Sequence, residues 1–241
     1  MSSDPMAAFF TLHSDLPREG PGEAADVAWA AKVANLSPTA QIADVACGPG
    51  GDIAALLQAA PKGHVSALDK TASFVTAARR DWREDDRVTL LQADMARIMN
   101  SYDMIWCAGA VYFMGVEQAL RAWRKSLKPG GVVAFSEVCW FTDAPSERPK
   151  ALWEAQYPGM TDAAGIAAQI TAAGYETVET RILSDAAWEA YFRPIDARIA
   201  ALRPGADADL TAVLDEAEEE AACWRAHRDE FGYLLSVVRP R

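Results

Sequence analysis

The run Ile42-Ala43-Asp44-Val45-Ala46-Cys47-Gly48-Pro49-Gly50-Gly51-Asp52 constrains the fold more than any other part of the chain. Apolar residues around one aspartate read as a buried strand, the glycines as a bend, and Ile53-Ala54-Ala55-Leu56-Leu57 as the first turns of a helix. A strand, a tight bend and a helix N-terminus together turn backbone N–H groups toward a ligand. Roughly twenty residues further on, Val65-Ser66-Ala67-Leu68-Asp69 reads as a second short strand ending in a carboxylate. Nucleotide-binding α/β folds hold ribose hydroxyls with an acid at this place. The two features together indicate a nucleoside-binding enzyme.

The 241 residues suit one α/β domain over 1–241, with cap segments expected at 1–36, 138–160 and 185–229. Hydrophobic residues make up 51% of the chain, enough for a sizeable core. A net charge of −11 argues against nucleic acid or an anionic membrane as partner, since both need a basic footprint. Part of that charge is a local run, Asp215, Glu216, Glu218, Glu219 and Glu220, expected to be a solvated helix face. Cys47, Cys107, Cys139 and Cys223 stand far apart without metal-ligand spacing, and read as reduced thiols of a cytoplasmic protein. The scattered His13, His64 and His227 make a histidine metal cluster unexpected. No signal-peptide pattern and no membrane-spanning apolar run is read from the chain.

Downstream of the glycine bend the pattern alternates, with helix at 52–60, strand at 65–69, helix at 71–82 and strand at 87–92. Strands at 102–107 and 131–137 follow, separated by a helix over about 115–127. Alternating strands and helices predict a doubly wound, mostly parallel sheet with helices on both faces. A helix near 162–173, a strand at 175–183, helical structure over 185–229 and a last strand at 233–238 complete the reading. Lys128-Pro129-Gly130-Gly131 is expected to turn the chain into the strand at 131–137.

Two cofactors use such a start. The dinucleotide fingerprint requires a third glycine where Ile53 stands, which leaves a nicotinamide oxidoreductase as the weaker alternative. Asp44-x-Ala46-x-Gly48-Pro49-Gly50 instead resembles motif I of the class I S-adenosylmethionine-dependent methyltransferases, with alanine at the first small position. Asp69 matches that family's ribose-binding acid, and Asp94-Met95 the pair that meets the adenine edge. Tyr102–Cys107 and Leu127-Lys128-Pro129-Gly130-Gly131 resemble its fourth strand and the turn before its fifth. The resemblance implies a Rossmann-like, seven-stranded sheet with an antiparallel last strand and helical cap insertions. It implies S-adenosylmethionine as cofactor, without a metal, and methyl transfer to a small-molecule acceptor. A non-catalytic protein that keeps the cofactor site is the other alternative.

Leu16–Gly22, Ser136–Asp143 and Tyr191–Pro194 further resemble a bacterial group of stand-alone small methyltransferases. Members of that group carry an acid in a Trp-Ser-Glu-Gly context after the fourth strand. Here the run is Trp106-Cys107-Ala108-Gly109, so that acid has no counterpart.

The cofactor residues implied are Asp44, Ala46, Cys47, Gly48, Gly50, Asp69, Lys70, Asp94, Met95 and Cys107. Asp69 reads alternatively as a capping acid for the helix from Thr71, Asp94 as a surface turn acid, and Lys70 as solvated. A methyl already activated as a sulfonium needs mainly an oriented acceptor, so no catalytic triad is required. If the acceptor must lose a proton, Glu137 is the leading base, followed by Tyr112 and His13. Phe10, Arg18, Trp140, Tyr157 and Tyr191 are the substrate-facing candidates, with Trp153, Trp188 and Phe192 among the aromatics expected in the cap.

Overall fold

A computed structural model of the chain describes residues 5–241. Two helices come first, α1 (Pro5–His13) and α2 (Ala24–Val33). The alternating part follows as β1 (Gln41–Val45), α3 (Ile53–Ala59), β2 (His64–Asp69), α4 (Ala72–Trp82), β3 (Val88–Gln92) and β4 (Tyr102–Cys107). Next come α5 (Val116–Trp123), β5 (Leu127–Trp140), α6 (Glu147–Gln156), β6 (Thr161–Asp162), α7 (Ala163–Ala172) and β7 (Tyr175–Ile182). The long helices α8 (Asp185–Leu202) and α9 (Ala208–His227) lead to β8 (Phe231–Pro240).

The sheet runs β3-β2-β1-β4-β5-β8-β7, parallel except that β8 lies antiparallel to both β5 and β7. This is the doubly wound sheet that the alternation predicts, with the antiparallel last strand that the resemblance implies. The two-residue β6 adds an eighth strand, pairing beside Cys139 and Trp140 at the end of β5. Strand order reverses between β1 and β4, and open α/β sheets bind ligands outside the carboxyl ends of the strands at such a switch.

The side-chain alternation of β5 shows how the sheet is buried on both faces. Val132, Ala134 and Val138 join the core under α2, α3 and α8, whereas Val133, Phe135 and Cys139 join the core under α5 and α7. A third apolar cluster, with Leu12, Leu16, Ile195, Ile199 and Leu214, ties α1 to α8 and α9.

Several boundaries differ from the sequence reading. β5 begins at Leu127, so the expected turn at Lys128–Gly131 is absorbed into the strand as an irregularity, where the register against β4 shifts between Tyr102 and Met104. The helix expected to reach 127 ends at Trp123 in a short 3-10 turn. The helical stretch 185–229 is broken at Arg203-Pro204-Gly205, where proline removes a backbone donor. The segment 1–36 divides: α1 joins the cap, whereas Val27 and Ala30 of α2 pack into the core with α3.

Candidate active site

At the switch point the carboxyl ends of β1, β2 and β4, with the turns after them, open into a cavity of 830 Å³. That is near the top of the roughly 300–1,000 Å³ range of ligand pockets. Residues 17–21 lie across the glycine bend: a Cβ on Gly51 would stand 2.8 Å from the Pro17 carbonyl oxygen.

The bend owes its shape to three left-handed residues. Gly48 and Gly50 have φ of 54° and 93°, and Ala46 adopts φ of 56° although it carries a Cβ. This conformation turns the Gly48 N–H onto Asp69 Oδ2, at 3.0 Å. Asp69 Oδ1 accepts from the Thr71 N–H at 2.7 Å, so the acid both supports the entry to α4 and faces the cavity. A carboxylate offers about four lone-pair sites. Two are used by backbone, which leaves acceptor capacity for a ligand.

Asp44 is buried at the bottom of the same site, and its Oδ2 has no hydrogen-bond partner among the described residues. Burial raises its carboxyl well above the usual range; the nearby acids Asp52 and Asp69 add to the shift and Arg18 opposes it. An orphaned acceptor of this kind fits a cationic donor from a ligand. Asp52 is held differently, accepting from Trp106 Nε1 at 2.9 Å and from Arg18 at 3.2 Å. Asp94 accepts from the Ala96 N–H at 2.8 Å, which shapes the turn after β3 at the cavity rim. Lys70 Nζ lies 5.1 Å from the Phe113 ring centre.

Among the other expected residues, Phe10, His13, Arg18, Cys47, Met95, Tyr112, Tyr157 and Tyr191 also line this cavity. His13 Nδ1 lies 2.5 Å from Glu19 Oε2, and its ring stacks on Phe9. Four expected residues lie elsewhere. Gly50 sits beneath the bend against Ile53 and Ala78, where it serves the turn. Cys107 points into the core of the opposite sheet face, because strand alternation turns it away from Trp106. Trp140 packs edge-on against Phe231.

Glu137 is 2% exposed and does not line the cavity. Neither of its oxygens meets a hydrogen-bond donor among the described residues. Burial pushes its carboxyl up to about 7, and the Tyr157 hydroxyl offsets part of the shift without reaching hydrogen-bond geometry.

The acidic run on α9 departs from expectation. Glu216 and Glu220 line the cavity, and burial pushes the Glu220 carboxyl up to about 7. Neither this acid nor Tyr233, whose hydroxyl stands over Gly109, was expected at the site. Asp52, by contrast, had a signal in its position directly after the glycines.

Comparison with known proteins agrees with this geometry. Residues 42–131 match a family described as a methyltransferase domain. A methyltransferase from Geobacter sulfurreducens, solved with S-adenosylhomocysteine, superposes over 98% of both chains with a TM-score of 0.82 at 19% identity. One from Thiobacillus denitrificans, also with S-adenosylhomocysteine, covers 100% of both chains with a TM-score of 0.77 at 19% identity. A trans-aconitate 2-methyltransferase of Deinococcus radiodurans is 30% identical over 99 residues, a match spanning 40% of this chain and 37% of the relative's length. Residues 42–131 thus match a methyltransferase domain, and the chain as a whole has the fold of these S-adenosylhomocysteine-bound methyltransferases. Among the described residues no helix is long and apolar enough to cross a membrane, and no group of three or more His, Cys, Asp or Glu side chains is placed to hold a metal.

Proposed function

We propose that this protein transfers a methyl group from S-adenosylmethionine to a small-molecule acceptor. The observation that carries the reading is the link between the two strand ends, where the Gly48 N–H and Asp69 meet at the cavity wall. In this reading Asp69 holds the ribose hydroxyls, the Asp94–Met95 turn holds the adenine, and the unpartnered Asp44 oxygen takes the ammonium of the methionyl end. When bound, the cofactor supplies an activated methyl. The protein's part is then to orient the acceptor and exclude water.

The size of the cavity supports room for an acceptor beside the cofactor. The net charge of −11 supports a partner other than nucleic acid. The four free cysteines support a reducing, cytoplasmic setting.

Calorimetry tests the assignment. S-adenosylhomocysteine should bind the wild-type protein, and Asp69→Asn should weaken it by about ten- to a hundredfold, the worth of one charged hydrogen bond. Unchanged affinity in that variant would remove Asp69 from the site. Binding without transfer of labelled methyl to any metabolite pool would favour the non-catalytic alternative. Binding of NADH with no binding of S-adenosylhomocysteine would favour the oxidoreductase.

A further inference from the structure

We propose that the methyl acceptor is a small amine, and that Glu220 pairs with its nitrogen and takes its proton before transfer. The inference rests on the methyl-transfer reading above and adds the chemical class of the acceptor.

The inner part of the cavity is walled by the rings of Tyr112, Tyr157, Trp188, Tyr191 and Tyr233. These rings support one another, with Tyr112 and Tyr157 centred 5.7 Å apart and Trp188 and Tyr233 5.3 Å apart. Glu220 enters this wall from α9 and forms no hydrogen bond or ion pair with any described residue. An unpaired carboxylate among aromatic faces is a poor place for an anionic group. A cation gains there twice, from the ring quadrupoles and from charge pairing at a half-buried acid.

Of the cavity's own cations, His13 is paired with Glu19. Arg18 is held by Asp52 and by the Gly20 carbonyl, and Lys70 lies over Phe113 beside Asp69. Seven carboxylates in all line the cavity. A polycarboxylate of the kind named for the Deinococcus relative would therefore meet an excess of negative charge beside Glu220. The match to that relative covers 40% of this chain.

The proton inventory is consistent with this role. Burial brings the Glu220 carboxyl to about 7, with His13 pulling it down. The titratable groups around it are His13 from α1, Tyr112 after β4, Tyr191 from α8 and Tyr233 from β8, with Glu19 and Glu216 on the same cavity. In the step itself an ammonium N–H proton passes to the Glu220 carboxylate and frees the nitrogen lone pair. The N–C bond forms as the C–S bond of the methyl donor breaks, and that bond's electron pair stays on sulfur. The methylated nitrogen departs as an ammonium ion, and Glu220 returns its proton to solvent.

Calorimetry on the full chain saturated with S-adenosylhomocysteine tests the inference. The probes are benzylamine, 2-phenylethylamine and cyclohexylamine, each beside the carboxylate and the alcohol of the same shape. Binding of S-adenosylhomocysteine is measured first, and its absence would overturn the methyl-transfer reading together with this one. With that ligand bound, at least one amine should bind tenfold or more tightly than its carboxylate and alcohol counterparts. Glu220→Gln should weaken that amine tenfold or more while the affinity for S-adenosylhomocysteine, which also reports folding, stays within twofold. No amine binding to the complex, equal or tighter binding of a carboxylate or alcohol, or an amine affinity indifferent to Glu220→Gln would overturn the amine proposal alone. The wild-type comparison decides even if the variant is unstable.

Discussion

Ala46 holds a backbone conformation that favours glycine, with φ of 56°. A left-handed residue with a Cβ costs about 1–2 kcal/mol, and the extra freedom of glycine in the unfolded chain returns about 0.4–1 kcal/mol of that. Ala46→Gly should therefore be neutral or raise Tm by up to about 4 °C in a chain of this size, as read by scanning calorimetry. A clear fall in Tm would mean that the alanine methyl makes contacts worth more than the strain. Glu137 carries the opposite kind of burden, a carboxyl shut away from donors. Unfolded it titrates near 4.5 and folded near 7, so the native state binds the proton more tightly. Stability then falls as pH rises from 4.5 to 7, by about 3 kcal/mol at roughly 1.4 kcal/mol per pH unit, and the full cost stands above 7. Glu137→Gln should melt higher than wild type at pH 8 and level with it near pH 4.5. A difference independent of pH would refute this account.

Between elements, the entry of α2 shows how a helix is tied to a sheet edge. Asp26, 1% exposed, accepts the Glu23 N–H in a capping box and pairs with Arg181 on β7. Arg181 in turn lies over the Trp29 ring at 5.2 Å. Removing one partner leaves a buried charge uncompensated, at a typical cost of about 3–5 kcal/mol. Arg181→Ala, which leaves the buried Asp26 carboxylate without its cation, should lower Tm by about 10 °C, and a loss of under about 2 °C would show that water already shields the pair. The capping box is a local pattern, but no spacing in the chain joins residue 26 to residue 181.

For the molecule as a whole, the cavity exists because α1, α8 and α9 fold back over the carboxyl ends of the strands. A ligand present at about 100 times its dissociation constant adds about 2.7 kcal/mol, or roughly 5–11 °C in Tm. S-adenosylhomocysteine should produce a rise of that order, and a flat melting curve at saturating ligand would mean that the cavity is not its site. The bend at Gly48 and the acid at Asp69 were legible in the sequence, because strand, turn and acid lie within one short βαβ unit whose geometry is set locally. The antiparallel last strand was expected only through the resemblance to the methyltransferase fold, and β8 does lie antiparallel to β5 and β7. Glu220 was not legible: its neighbours in sequence are acids suited to a solvated helix, and only the way α9 packs against α1 turns it inward. Glu137 and Cys107 err in the other direction, since their place at strand ends suggested a site and the register of the strands buried them instead. Local order along the chain thus determined the sheet and the glycine-bend side of the cavity, proposed for the cofactor, through backbone geometry and short-range alternation. The aromatic side of the cavity, proposed for the acceptor, was decided by tertiary structure alone, because its residues come from distant elements whose meeting depends on how apolar faces cover one another.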